Sequence, residues 1–194
     1  MEEYKPFLMW DNSKKDGHAE TIMDYVISWC LRCTMYPFIK DNKPILYQYC
    51  KYMLCKLIDR LQDMNNIEID NARVRKQEHR IDLWVEIELR IDKRQEKHAI
   101  LIEDKYYTLL RENQLENYKP IFADYYQNKQ EKYQLHYALI TCLYDDHSYY
   151  NVLAQSAEKN GFNIYHLYEL ADSSLGYKES ESDIYNELFL RNWL

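Results

Sequence analysis

The sequence is poor in glycine and proline: three glycines and four prolines among 194 residues. Glycine is what lets a backbone wrap closely around a phosphate, and Gly/Pro-rich stretches make linkers. A glycine-rich phosphate loop and a flexible interdomain tether therefore have little room here. Long apolar runs are also missing, and none approaches the roughly 20 residues that a membrane span needs. The opening "MEEYKPFLMWDNSKKDG" lacks the basic-then-apolar order of a signal peptide. The expectation is a cytoplasmic protein with no membrane partner. A third absence is positive charge: 25 Lys and Arg face 32 Asp and Glu, a net charge of −7. Proteins that coat nucleic acid electrostatically are usually basic, because phosphate neutralisation supplies most of that affinity. The balance counts against broad electrostatic binding, but not against an enzyme with a local basic patch and a bound cation.

What is present describes a folded globule. The hydrophobic fraction is 46% and the aromatic fraction 15%, enough for a substantial core in one domain over residues 1–194. Five cysteines cannot all pair internally. Without a secretory signal, reduced thiols are the simple reading. Cys30, Cys33, Cys50 and Cys55 could number four zinc ligands. However, Cys30 and Cys33 recur with Ile22, Tyr25, Val26 and Trp29 at helical spacing, which makes them core filler on an apolar helix face.

The pattern predicts a helix over residues 19–34, a break at Pro37 and "KDNKP", and a second helix over 44–64 with Leu46, Tyr49, Cys50, Met53, Leu54, Leu57, Ile58 and Leu61 on one side. From residue 66 the period changes to two. "RIDLWVEIELRI" alternates cleanly, with Ile81, Leu83, Val85, Ile87, Leu89 and Ile91 on one face and Asp82, Trp84, Glu86, Glu88 and Arg90 on the other. With "IEIDNARVRK" before it and "HAILIEDKYY" after, short connections imply an antiparallel meander. A helix over 108–133 interrupted at Pro120, a fourth strand over 135–144, a helix over 148–160 stopped by Gly161, a fifth strand over 162–168 and a terminal helix over 181–194 complete the reading. The fold class is α/β: a mixed sheet, three strands of it an antiparallel meander, with helices on both faces.

One feature of this scheme calls for explanation. The third strand ends in charge, "IEDKYY". Glu103 and Lys105 are two apart and share a face, while Asp104 points the other way and is dispensable. If the second and third strands close a hairpin near residues 92–97, Asp82 arrives at the same end as Glu103 and Lys105. Two carboxylates offer hard oxygen ligands of the kind that suit Mg²⁺, and a neighbouring ammonium can orient water and stabilise negative charge. That combination fits metal-assisted hydrolysis of a phosphodiester. The bland reading is a solvated strand end or a surface ion pair. It is weakened because a sheet covered on both sides buries its strand ends, and buried unpaired charge is costly.

Asp82 followed by Glu103-Asp104-Lys105 resembles the active-site signature of the PD-(D/E)XK nuclease superfamily. The order of helix, meander, helix and strand resembles its restriction-endonuclease-like core. "RIDLWVEI", "ILIEDKYY" and then Gln114-Leu115-Glu116-Asn117-Tyr118 are similar to a branch in which ExK precedes a helix carrying QLxxY. "FLMWDNSKKDGHAETIMDYVI" resembles that branch's leading segment, with a loop ending in His18. The resemblance covers about residues 7–144. It implies Asp82 and Glu103 as ligands of Mg²⁺ or Mn²⁺, Lys105 as the residue that orients or activates water, and Gln114 as support for the lysine or the scissile phosphate. Tyr118 reads as core and His18 as a loop anchor. The implied substrate is nucleic acid, DNA before RNA, in bacterial defence or DNA processing, with a homodimer as one route to cutting two strands. Two departures stand out. Ile81 occupies the place of the family's proline. Only Glu2 and Glu3 offer the acidic residue that often completes the metal site from the leading helix, which would leave that helix clipped. The alternative is a nuclease fold kept as an inactive interaction or regulatory module, presenting some of the 20 tyrosines.

Overall fold

The clean alternation of residues 81–91 becomes the second strand of a five-stranded sheet in the computed structural model, which describes residues 19–191. Strands β1 (Ile67–Glu78), β2 (Ile81–Ile91) and β3 (Arg94–Lys105) form the antiparallel meander, and β4 (Gln134–Thr141) and β5 (Asn163–His166) follow in parallel, in spatial order β1-β2-β3-β4-β5. The α/β mixed-sheet fold class holds. Both meander turns put two residues in the left-handed region: His79 and Arg80 at one end, Asp92 and Lys93 at the other. Positive φ at both central positions is the signature of a type I′ loop, whose twist matches that of the flanking strands. A chain with so few glycines meets that demand with other residues.

The helices cover both faces. On one side lie α1 (Ala19–Cys33), α3 (Pro44–Leu57) and the C-terminal turns, which pack against Leu83, Val85, Ile87, Leu89, Ile100 and Ile102. On the other lie α4 (Gln114–Gln127) and α5 (Ser148–Asn160), against Trp84, Ala99, Leu101 and Leu139. As the central strand, β3 is buried on both faces from His98 to Lys105. A buried sheet face beneath α4 explains how Trp84 can sit among charged neighbours with 0% exposure. Its ring packs on Phe122, and its Nε1–H donates to Tyr126 Oη at 2.7 Å.

Several expectations need correction. Pro37 does not end structure: it starts a short helix, α2 (Pro37–Asn42), at a first-turn position where its missing N–H costs nothing. The helix from Pro44 stops at Leu57, a separate tight turn covers Leu61–Asn66, and Leu61 is exposed rather than on the buried side. Tyr25 of α1 is likewise exposed. The helix expected from residue 108 begins only at Gln114. Residues 106–113 are irregular because Tyr106 N–H and the Thr108 hydroxyl both donate to Glu20 and Asn113 is left-handed. The expected terminal helix opens as a single turn, α6 (Asp183–Tyr185), and widens over Asn186–Leu190. Gly161 ends α5 as expected, in the left-handed conformation. The four cysteines are core: Cys50 meets Cys30 and Cys33 inside the α1–α3 interface. Among the described residues they form no group arranged to hold a metal ion.

Candidate active site

The turn at Asp92 and Lys93 sets the β2–β3 register. Leu83 faces Ile102, so Asp82 and Glu103 arrive side by side at the far end of the hairpin. Asp82 is held from two directions: Gln77 Nε2 donates to its Oδ1 at 3.0 Å, and the Asp104 backbone N–H donates to its Oδ2 at 3.2 Å. Glu103 is fully buried. Its Oε1 accepts from Lys105 Nζ at 2.6 Å and from Gln114 Nε2, while its Oε2 is buried with no partner among the described residues. Lys105 Nζ also donates to the Asp104 carbonyl at 2.9 Å.

The first residue of α4 links this pair to the helix. Gln114 Oε1 accepts from the Arg111 N–H at 3.0 Å, which fixes the amide so that its Nε2 points at Glu103. The Tyr118 hydroxyl, one helical turn on, also accepts from Gln114 Nε2 at 3.3 Å. Gln114 thus engages Glu103 and reaches Lys105 only through it. Tyr118 is buried, as a core residue should be, and it also positions Gln114.

Helix α1 supplies acids that the sequence reading passed over. Asp24 is buried, and Gln77 Nε2 lies 3.5 Å from its Oδ2, so one amide bridges Asp24 and Asp82. Glu20, one turn earlier, caps the strand exit at Tyr106 and adds negative charge beside Lys105. The signal was present in the sequence: Glu20 and Asp24 are four apart and share a helix face. Glu2, Glu3 and His18 lie outside the described residues. Asp104 does face away from Glu103, towards α1, but it is no idle filler. Both of its carboxylate oxygens are buried without a conventional donor among the described residues, and its carboxyl meets that of Asp24.

Crowding and burial raise the proton affinity of Asp24, Glu103 and Asp104. Burial first, and then the Asp82 charge, pushes Glu103 up to about 8, against the pull of Lys105. Burial and the Asp82 charge push Asp24 up to about 6. Burial and the charges of Asp24, Asp82 and Glu103 raise Asp104 well above the carboxylate range. Burial works against the Lys105 ammonium, but Glu103, as charge and as hydrogen-bond partner, keeps its pKa above the ordinary lysine value.

Asp82 and Glu103 on adjacent strands, with Lys105 two residues on and a buried Gln114 behind them, form the constellation that the sequence motif described. A model of the PD-(D/E)XK nuclease superfamily matches residues 14–188. The chain belongs to this superfamily. The match spans the whole sheet and helices α1 to α6, and it extends past residue 144, where the motif resemblance stopped. No curated protein and no solved structure matches the chain. PD-(D/E)XK nucleases generally use divalent metals. Among the described residues no three His, Cys, Asp or Glu side chains are arranged to hold a metal ion. Mg²⁺ commonly takes only one or two carboxylates, with water and substrate phosphate completing its shell. Glu103 Oε2 beside Asp82 fits that demand: the two carboxyls lie in contact, and a cation in place of the proton that burial and Asp82 favour there would stabilise both as oxygen ligands. No helix of the described residues is long and apolar enough to cross a membrane.

Proposed function

We propose that the protein is a Mg²⁺- or Mn²⁺-dependent nuclease that hydrolyses phosphodiester bonds, with DNA as its first-choice substrate. One observation carries the reading: a buried Glu103 carboxylate with a free oxygen stands beside Asp82, while its other oxygen holds Lys105 Nζ at 2.6 Å. Isolated buried acids destabilise a fold, so their retention needs a use. Asp82 and Glu103 are the ligands in this reading, with Asp24 close enough to share the load through Gln77. When bound, the ion polarises a phosphoryl oxygen and lowers the pKa of a water.

The chain's own groups do the rest. Lys105 stays an ammonium beside Glu103, which suits it to orient the attacking water and to stabilise the charge that builds on the phosphoryl oxygens. With its pKa raised, it is poorly suited to take a proton, so its role is electrostatic. Gln114 fixes Glu103, and Tyr118 and the Arg111 N–H fix Gln114. The alternative of an idle interaction module draws on exposed Phe38, Tyr36 and Tyr25, but it gives the buried acids no role.

The test is cleavage of plasmid DNA, linear duplex, single-stranded DNA and RNA by purified protein with Mg²⁺ or Mn²⁺. Cleavage is expected with the metal, absent with chelator, and reduced by at least about 100-fold in Lys105→Ala, the scale of losing one transition-state donor. Equal cleavage by wild type and Lys105→Ala would mean a contaminant. No cleavage of any substrate, together with no divalent-ion binding, would favour the interaction module.

A further inference from the structure

A cleft of about 470 Å³ opens beside Gln114, between the β1–β2 turn and the start of α4. His79 and Arg80 of the turn line one side, and Arg111, Gln114 and Tyr118 the other. Its size falls within the range of small-ligand sites. Gln114, the residue that holds Glu103, lines it, so whatever lies in it is close to Glu103. Arg80 and Arg111 are both exposed, and neither forms an ion pair with a carboxylate among the described residues. Arg60, Arg75, Arg90 and Arg191 each pair with at least one acid; among the described residues Arg32, Arg73 and Arg94 share the unpaired state of Arg80 and Arg111, but those two alone line this cleft. Glu112 also lines the cleft, which leaves two arginines against one glutamate there, in a chain whose overall charge is −7.

We propose that Arg80 and Arg111 hold a backbone phosphate of the nucleic-acid strand next to the one being cut, so that the strand enters the site through this cleft. The inference rests on the nuclease reading and adds a subsite to it. Guanidinium groups recognise phosphate through paired N–H donors. The arginines sit on two independent segments, the β1–β2 turn and the loop that leads into α4. A strand held between them is positioned relative to Glu103 through Gln114, because the Arg111 backbone N–H already fixes that amide. An acidic protein then needs no general basic surface: it concentrates cationic contacts where the strand must lie.

The experiment uses full-length protein, a fluorescent oligonucleotide and Ca²⁺ to allow binding without turnover. Wild type is compared with Arg80→Gln, Arg111→Gln, the double variant, and Arg94→Gln as a control at the far turn. Each cleft substitution should weaken binding roughly tenfold or more, the loss of one charge-assisted contact. Each should flatten the salt dependence by about 0.7–0.9 in the log–log slope. With Mg²⁺, the double variant should raise KM while kcat changes far less, and thermal melting should match wild type. If wild type binds and cuts while both cleft variants keep its affinity and slope, the subsite is wrong and the nuclease reading stands. If wild type neither binds nor cuts any nucleic acid, both are wrong.

Discussion

Glu103 is the residue on which the site turns, since it joins Lys105, Gln114 and Asp82. Its Oε1 collects Lys105 and Gln114, and its Oε2 faces no hydrogen-bond donor among the described residues. On the proposal that Asp82 and Glu103 hold a divalent ion, Gln114 orients one of its ligands from behind. Gln114→Ala should therefore weaken Mn²⁺ affinity by about 10–100-fold, measured by calorimetry. An unchanged affinity would show that Gln114 serves only the fold. Asp82, Glu103 and Lys105 were legible in the sequence because period-two alternation fixes their faces and a short hairpin fixes which ends meet. Asp24 and Glu20 were not, because a helix pattern says which side is apolar but not which strand end its acids will reach. Gln77 was hidden for a related reason: its role depends on the left-handed turn at the end of β1, where alternation fails.

At the level of elements, the order and type of the strands followed from periodicity, whereas boundaries shifted wherever a tertiary contact intervened. Helix α4 is the clearest case. Its polar, leucine-bearing approach, residues 108–113, has helical composition, yet bonds from Tyr106 and Thr108 to Glu20 pull it into a loop. That delayed start puts Gln114 in the first turn, facing Glu103. The helix is anchored at its other end by Trp84, which packs on Phe122 and Tyr126 while Arg75, Glu86 and Lys129 close an ion-paired rim around it. Trp84→Ala should cost about 3–5 kcal/mol of stability through the cavity alone, read from urea denaturation. Trp84→Phe should cost less, because it keeps most of the packing and loses mainly the Tyr126 hydrogen bond. Equal losses would point to the hydrogen bond as the dominant contribution.

For the whole molecule, the crowded acids make stability depend on pH and metal together. Glu103 has its pKa raised to about 8 in the fold, against 4.5 for the free side chain. A raised carboxyl contributes stability below its unfolded pKa and loses it as pH rises through the folded value. Below about pH 6.5 the opposite slope intrudes, since burial lowers His98 and takes His136 down to about 4. The clean window is therefore pH 6.5–8.5. Across it the metal-free protein should lose stability, the loss should shrink in Glu103→Gln with buried Asp104 supplying the remainder, and Mn²⁺ should restore most of it in wild type. A flat metal-free profile would place Glu103 in an ordinary carboxylate environment.

The central claim is that Asp82 and Glu103 together hold the divalent ion, and anomalous diffraction from a Mn²⁺-soaked crystal tests it most directly. The account predicts a manganese peak between the two carboxylates, near Glu103 Oε2, that is lost in Asp82→Asn. A peak elsewhere, or none at a Mn²⁺ concentration that supports cleavage, would contradict it.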